Sequence, residues 1–114
     1  MTEADLHRAV ADYLAHAITS PWTTFPAGGG GRARGAQLKG MGLTAGWPDI
    51  QIVHGGRFYG IELKAKGKYP EPHQRAIHDA IRTAGGRVAV CRSLAEVEDA
   101  LTTWRVPIRA RIAA

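Results

Sequence analysis

The segment Gly46–Lys64, GWPDIQIVHGGRFYGIELK, leaves this chain few folds to choose from. Gly55-Gly56, flanked by β-branched and aromatic residues, predicts a two-residue hairpin turn. Such a turn sets His54 against Arg57. Counting back from it pairs Val53 with Phe58, Ile52 with Tyr59, and at the far end Asp49 with Glu62. Directly opposed residues of an antiparallel pair have Cβ atoms about 4.5–5.5 Å apart, and like charges there are destabilising. Side chains alternate along a strand, so Lys64 shares a face with Glu62. The hairpin therefore forces two carboxylates together beside an ammonium.

The elements around it follow from periodicity. Leu6, Val10, Tyr13, Leu14, Ala17 and Ile18 recur at helical spacing, with Thr2 as N-cap and Asp5 three residues on. Glu3 lies at the end of that apolar stripe, and its spacing reads as a first-turn acid facing the macrodipole. Pro21 ends the helix, and Trp22–Phe25 predicts a short strand closed by Pro26. Residues 27–40 read as a flexible, basic, Gly-rich loop. It is no P-loop, because no Gly-Lys-Ser/Thr follows, and no dinucleotide fingerprint, because the opening strand and helix are missing. It is either a plain surface loop or one whose Arg32, Arg34 and Lys39 contact phosphates.

Beyond the hairpin, the turn-rich stretch from Lys66 to Pro72 leads to a helix over His73–Ala84. Its apolar face is Ile77, Ala80, Ile81 and Ala84, and Gly85-Gly86 is its stop. Arg87–Arg92 predicts a strand. Ser93 and Glu96 have the spacing of a capping box, opening a last helix that buries Leu94, Val97, Leu101 and Trp104 and closes at Pro107. The basic tail, 106–114, fits a strand, an arm or disorder equally. The order α-β-β-β-α-β-α predicts an α/β fold, a central mixed sheet flanked by helices.

At 114 residues the expectation is one domain spanning 1–114. A net charge of +5 favours an anionic partner, nucleic acid first. The single cysteine, Cys91, sits in an apolar run and reads as a buried structural thiol. No secretory signal and no apolar stretch near the roughly 18 residues of a membrane span are present, which predicts a cytoplasmic protein with no membrane partner. The five histidines are scattered and read as structural or surface residues.

Mg²⁺ is usually held by one or two carboxylates, with substrate phosphate and water completing its shell. Asp49 and Glu62 supply that number. A cation there polarises a phosphoryl oxygen and acidifies a bound water. Lys64 can orient or deprotonate that water, or stabilise charge growing on the phosphoryl oxygens. The plainer alternative is that Asp49 caps a turn after Pro48 while Glu62 and Lys64 line an exposed edge strand.

Pro48-Asp49 followed by Glu62-Leu63-Lys64 resembles the PD-(D/E)xK nuclease superfamily. More narrowly, the chain resembles the VRR-NUC family in its small stand-alone form from phages and bacteria. Glu3, Lys39–Gly42, Gly46–Asp49, Glu62–Lys64, Gln74 and Gly85-Gly86 carry the resemblance, in order, over most of the chain. It implies a restriction-endonuclease-like αβββαβ core and Mg²⁺- or Mn²⁺-dependent hydrolysis of phosphodiester bonds. Asp49 and Glu62 would be the main metal ligands, joined by the Leu63 backbone carbonyl, with Glu3 as the outer carboxylate. Lys64 would position the attacking water, and Gln74 would orient that water, the metal shell or Lys64. Arg32, Arg34, Lys39 and Lys66 would meet nucleic acid. The resemblance further implies a homodimer acting on branched DNA such as a Holliday junction, in a bacterial or phage-infected cell. The alternative is a non-catalytic nucleic-acid-binding or assembly protein that keeps the fold.

Overall fold

The structure, a computed structural model, describes residues 1–25 and 31–112. Its elements run α1 (Glu3–Ala17), β1 (Trp22–Thr24), α2 (Gly31–Gly40), β2 (Ile50–His54), β3 (Arg57–Leu63), α3 (Pro72–Thr83), β4 (Arg87–Cys91) and α4 (Leu94–Trp104). The four strands form one sheet in the order β1-β2-β3-β4. β1 and β2 pair antiparallel, as do β2 and β3, whereas β3 and β4 pair parallel through the α3 crossover. The architecture is the mixed, helix-flanked sheet that the sequence predicts.

Register follows from the turn. Gly55 and Gly56 take φ of 58° and 76°, the left-handed values that both central residues of the tightest hairpin turn require. His54 then pairs with Arg57 and Ile50 with Ile61, as the sequence predicts. Alternation divides β3 between two faces. Tyr59, Ile61 and Leu63 turn toward α1 and α4, joining Leu6, Val10, Leu14, Val97 and Leu101 in the main core. Phe58, Gly60 and Glu62 turn to the opposite face, which α3 covers.

Helix ends match the sequence unevenly. Thr2 and Asp5 exchange side chain-to-backbone hydrogen bonds of 3.0 and 3.1 Å, a complete capping box. Ser93 accepts from the Glu96 N–H, but the Glu96 carboxylate accepts from Arg92 N–H rather than from Ser93, so only half of the expected box forms. α4 stops at Arg105, in the left-handed region at φ 60°, before Pro107 is reached. Cys91 is buried, and burial pushes its thiol up to about 12. The tail through Ile112 is tied down: Arg109 N–H donates to Ala17 O at 2.7 Å, and its guanidinium donates to the Ala15 and His16 carbonyls. It caps the open carbonyls of α1.

Two expectations are corrected. Residues 31–40, expected to be loop, form α2; residues 27–30 lie outside the described residues. Gly31, Gly35 and Gly40 make α2 a poor helix by propensity. Leu38 is half-buried, and its carbonyl accepts from Leu43 N–H at 2.9 Å in the turn that follows. The second correction concerns α3. Its buried residues are His78 and Ile81, while Ala80 and Ala84 are exposed. The helix is rotated so that Gln74 and His78 meet the sheet, because a buried carboxylate waits there and an alanine buries little apolar area.

Candidate active site

Two close backbone approaches put Asp49 in place. A Cβ on Gly60 would stand 2.5 Å from Pro48 Cγ, so the bare β3 backbone is what lets buried Pro48 lie across it. Gly46, at φ 104°, passes against α3, where a Cβ would meet the His73 carbonyl oxygen at 2.7 Å. The Gly46–Asp49 segment is thereby wedged between β3 and the first turn of α3. Asp49 stands opposite Glu62, one step beyond the Ile50–Ile61 pair. Its Oδ2 accepts from Leu63 N–H at 2.8 Å, and its carbonyl accepts from Phe25 N–H.

Glu62 is 2% exposed, and its carboxylate is surrounded. Oε2 accepts from Gln74 Nε2 at 3.1 Å and lies 3.7 Å from Lys64 Nζ. Oε1 lies 3.6 Å from His78 Nε2, and neither of these two atoms has a hydrogen-bond partner. Burial, then the Asp49 charge, pushes the Glu62 carboxyl up to about 8, while Lys64 pulls it down and the Glu3 charge adds to the rise. Burial also holds the His78 imidazole below its ordinary value. Lys64 is fixed through its backbone, which donates to Cys91 O on β4.

Gln74 is engaged at both ends of its amide. Oε1 accepts from Glu71 N–H at 2.8 Å, closing the start of α3, while Nε2 reaches Glu62. The helix entrance and the buried carboxylate share one side chain.

The structure thus brings Asp49, Glu62, Lys64 and Gln74 together. Glu3 is exposed on the first turn of α1, within electrostatic reach of Glu62. Among the described residues, no three His, Cys, Asp or Glu side chains gather closely enough to hold a metal ion by themselves. The opposed pair still suits a hard divalent cation. Both donors are carboxylates, one is buried with an oxygen unpartnered, and their mutual repulsion is what a cation would relieve.

Lys39, Asp49 and Gln74 also line an open hollow of about 600 Å³, whose apolar wall includes Phe25, Leu43 and Trp47. Arg32 and Arg34 are exposed on α2, whose Gly35 lines the hollow, and Lys66 is exposed in the turn after β3. Of the histidines, His7 meets Thr24, His16 meets a carbonyl of its own helix, His54 meets Ser20, and His73 is exposed at the hollow. His78 is buried, with Nε2 3.6 Å from Glu62 Oε1, a contact that the sequence reading did not single out. Its signal was the four-residue spacing from Gln74, which puts both on one helix face.

No family model matches the chain, and no curated protein matches its sequence. Solved structures do match its fold. One described as "VRR_NUC domain protein" superposes at a TM-score of 0.68 with 21% identity, over 90% of this chain and 86% of the other. A second, "VRR_NUC domain", superposes at 0.62 with 20% identity, over 90% of this chain and 97% of the other. With Asp49 and Glu62 opposed across its central hairpin, the chain has the restriction-endonuclease-like fold of the VRR-NUC domain.

Proposed function

We propose that the chain is a member of the VRR-NUC family and a metal-dependent endonuclease that hydrolyses phosphodiester bonds in DNA. One observation carries this reading. A carboxylate 2% exposed is held opposite a second carboxylate, with a lysine on the same face. Without a cation the arrangement is electrostatically poor, and a structural role gives no reason to keep it.

Asp49, Glu62 and the Leu63 carbonyl would hold Mg²⁺ or Mn²⁺, with Glu3 as the outer carboxylate. When bound, the cation supplies Lewis acidity and an acidified water. The chain supplies the rest. Lys64, 12% exposed by its side chain, offers a cation to the phosphate and to the attacking water. Gln74 holds Glu62 by hydrogen bond. Lys39 and the exposed Arg32, Arg34 and Lys66 give the approaching backbone its counter-charge. The open hollow is lined by Asp49 and gives an approaching strand a path to that acid.

The same reading makes the protein a homodimer that prefers branched DNA and works in the cytoplasm of a bacterium or its phage-infected host. The deciding experiment is cleavage of a labelled four-way junction beside a matched linear duplex, with Mg²⁺, Mn²⁺ or EDTA, using wild type and Lys64→Ala. Metal-dependent, symmetric nicking of the junction, lost in the variant, is expected. Equal cutting of both substrates would keep the nuclease and discard the junction preference. Tight binding without cleavage in either metal would overturn the reading in favour of a non-catalytic binding protein.

A further inference from the structure

Glu62 is the one buried carboxylate among the described residues, and its two oxygens are held unequally. Oε2 has the Gln74 amide at 3.1 Å and the Lys64 ammonium at 3.7 Å. Oε1 has only His78 Nε2, at 3.6 Å. That separation is too long for a hydrogen bond, and both atoms are buried and unpaired. An oxygen of the carboxylate and a buried ring nitrogen, neither with a hydrogen-bond partner, thus face each other, with the Asp49 carboxyl also close to Glu62.

Gln74 and His78 lie four residues apart on α3, so both project from one face of the helix onto the same carboxylate. The uncharged ring carries one N–H, and Nε2 is the nitrogen aimed at Glu62. An approach of a few tenths of an ångström closes the bond. We propose that His78 is a positioning residue: with Gln74 on Oε2 and His78 on Oε1, α3 clamps the Glu62 carboxylate in one orientation for a divalent cation. The proposal rests on the metal-dependent reading above. His78 touches neither substrate nor reacting atoms; it acts through Glu62, as outer partners of metal-binding carboxylates do.

The clamp also accounts for the rotation of α3. A helix packed only by apolar area would bury Ala80 and Ala84 with Ile81. This one exposes both alanines and buries a histidine at 1% exposure.

The test is Mn²⁺ uptake by the full chain without DNA, followed by calorimetry or electron paramagnetic resonance, for wild type, His78→Leu and His78→Gln. Thermal unfolding in EDTA is measured alongside. Leucine fills the space without a donor, and glutamine carries an amide nitrogen near the place of Nε2. His78→Leu is expected to lose about tenfold to a hundredfold in Mn²⁺ affinity, the usual effect of removing such a partner. His78→Gln is expected to recover most of it. In EDTA both variants should melt no lower than wild type, since an unpaired buried polar atom is removed or replaced. Wild-type affinity in His78→Leu, or no recovery in His78→Gln, would overturn the clamp and leave the nuclease reading standing. Lower melting of His78→Leu in EDTA with unchanged affinity would make His78 a packing residue only. A wild type that takes up no Mn²⁺ would overturn both readings.

Discussion

Asp49 is tied to the backbone of β3 through Leu63 N–H, and its charge is one of the causes that raise the Glu62 carboxyl. The first contact an asparagine can keep; the second it removes. Asp49→Asn is therefore expected to abolish cleavage while leaving metal-free stability unchanged or slightly higher, as measured by urea unfolding in EDTA. A loss of about 2 kcal/mol or more, the scale of a broken buried network, would make Asp49 structural instead. Glu62 makes a separate statement about pH. Its carboxyl is raised from 4.5 to about 8, so between those values the folded chain keeps a proton that the unfolded chain has released. Stability then falls as pH rises through that window. His78, held below 6.5, works in the other direction beneath that pH, where the unfolded chain takes up its proton first. The Glu62 effect thus stands apart between roughly pH 6.5 and 8. In EDTA the melting temperature should decline over that range, and Glu62→Gln should remove the decline. Equal slopes for the two proteins would show that Glu62 ionises normally.

Within the elements, the seat of the Pro48-Asp49 segment is the bare backbone of Gly60 in the middle of β3. Gly60→Ala would drive a methyl group into the Pro48 ring, where it would find its neighbour at 2.5 Å. A cost of about 1–3 kcal/mol is expected in denaturant unfolding, the range for overpacking a tight core. Activity should fall further than stability, because the displaced segment carries Asp49; a stable variant with full cleavage would refute that coupling. The hairpin was legible in the sequence because its register depends on one local turn, Gly55-Gly56, and on alternation. The capping pair Thr2 and Asp5 was legible for the same reason. The buried face of α3 was not. Counting apolar residues favours Ile77, Ala80, Ile81 and Ala84, but the choice of face depends on Glu62, a residue of another element. α2 was missed because its glycines argue against a helix and Leu38 is the one half-buried residue among its described side chains.

Across the whole molecule, α1 and α4 shield one side of the sheet and α3 dries the other, so Glu62 sits on a central strand with neighbours on both edges, and Lys64 just past its end. No helix of the described residues is long and apolar enough to cross a membrane. The net charge of +5 is expressed in part at the exposed arginines of α2, the helix that lines the hollow beside Asp49. Arg32→Ala with Arg34→Ala should weaken DNA binding and flatten its log–log salt dependence by roughly one unit per lost phosphate contact. An unchanged salt slope would remove α2 from the DNA-binding surface. Modest charge was readable from composition. The helix that presents it, and its place at the mouth of the hollow, depend on contacts that no local pattern encodes.

The two-residue turn between β2 and β3 has a kinetic consequence. It is the most local pairing in the sheet, whereas β4 joins β3 only after α3 has crossed over. The opposed acids are therefore expected to be assembled early, in water, where both ionise freely. The later docking of α3 is then expected to dry Glu62 and raise its carboxyl. Refolding in EDTA, followed at once by a pH-indicator dye and by strand formation in the infrared, should show the hairpin signal first and proton uptake after it. Simultaneous signals would mean that hairpin and helix come together in a single step.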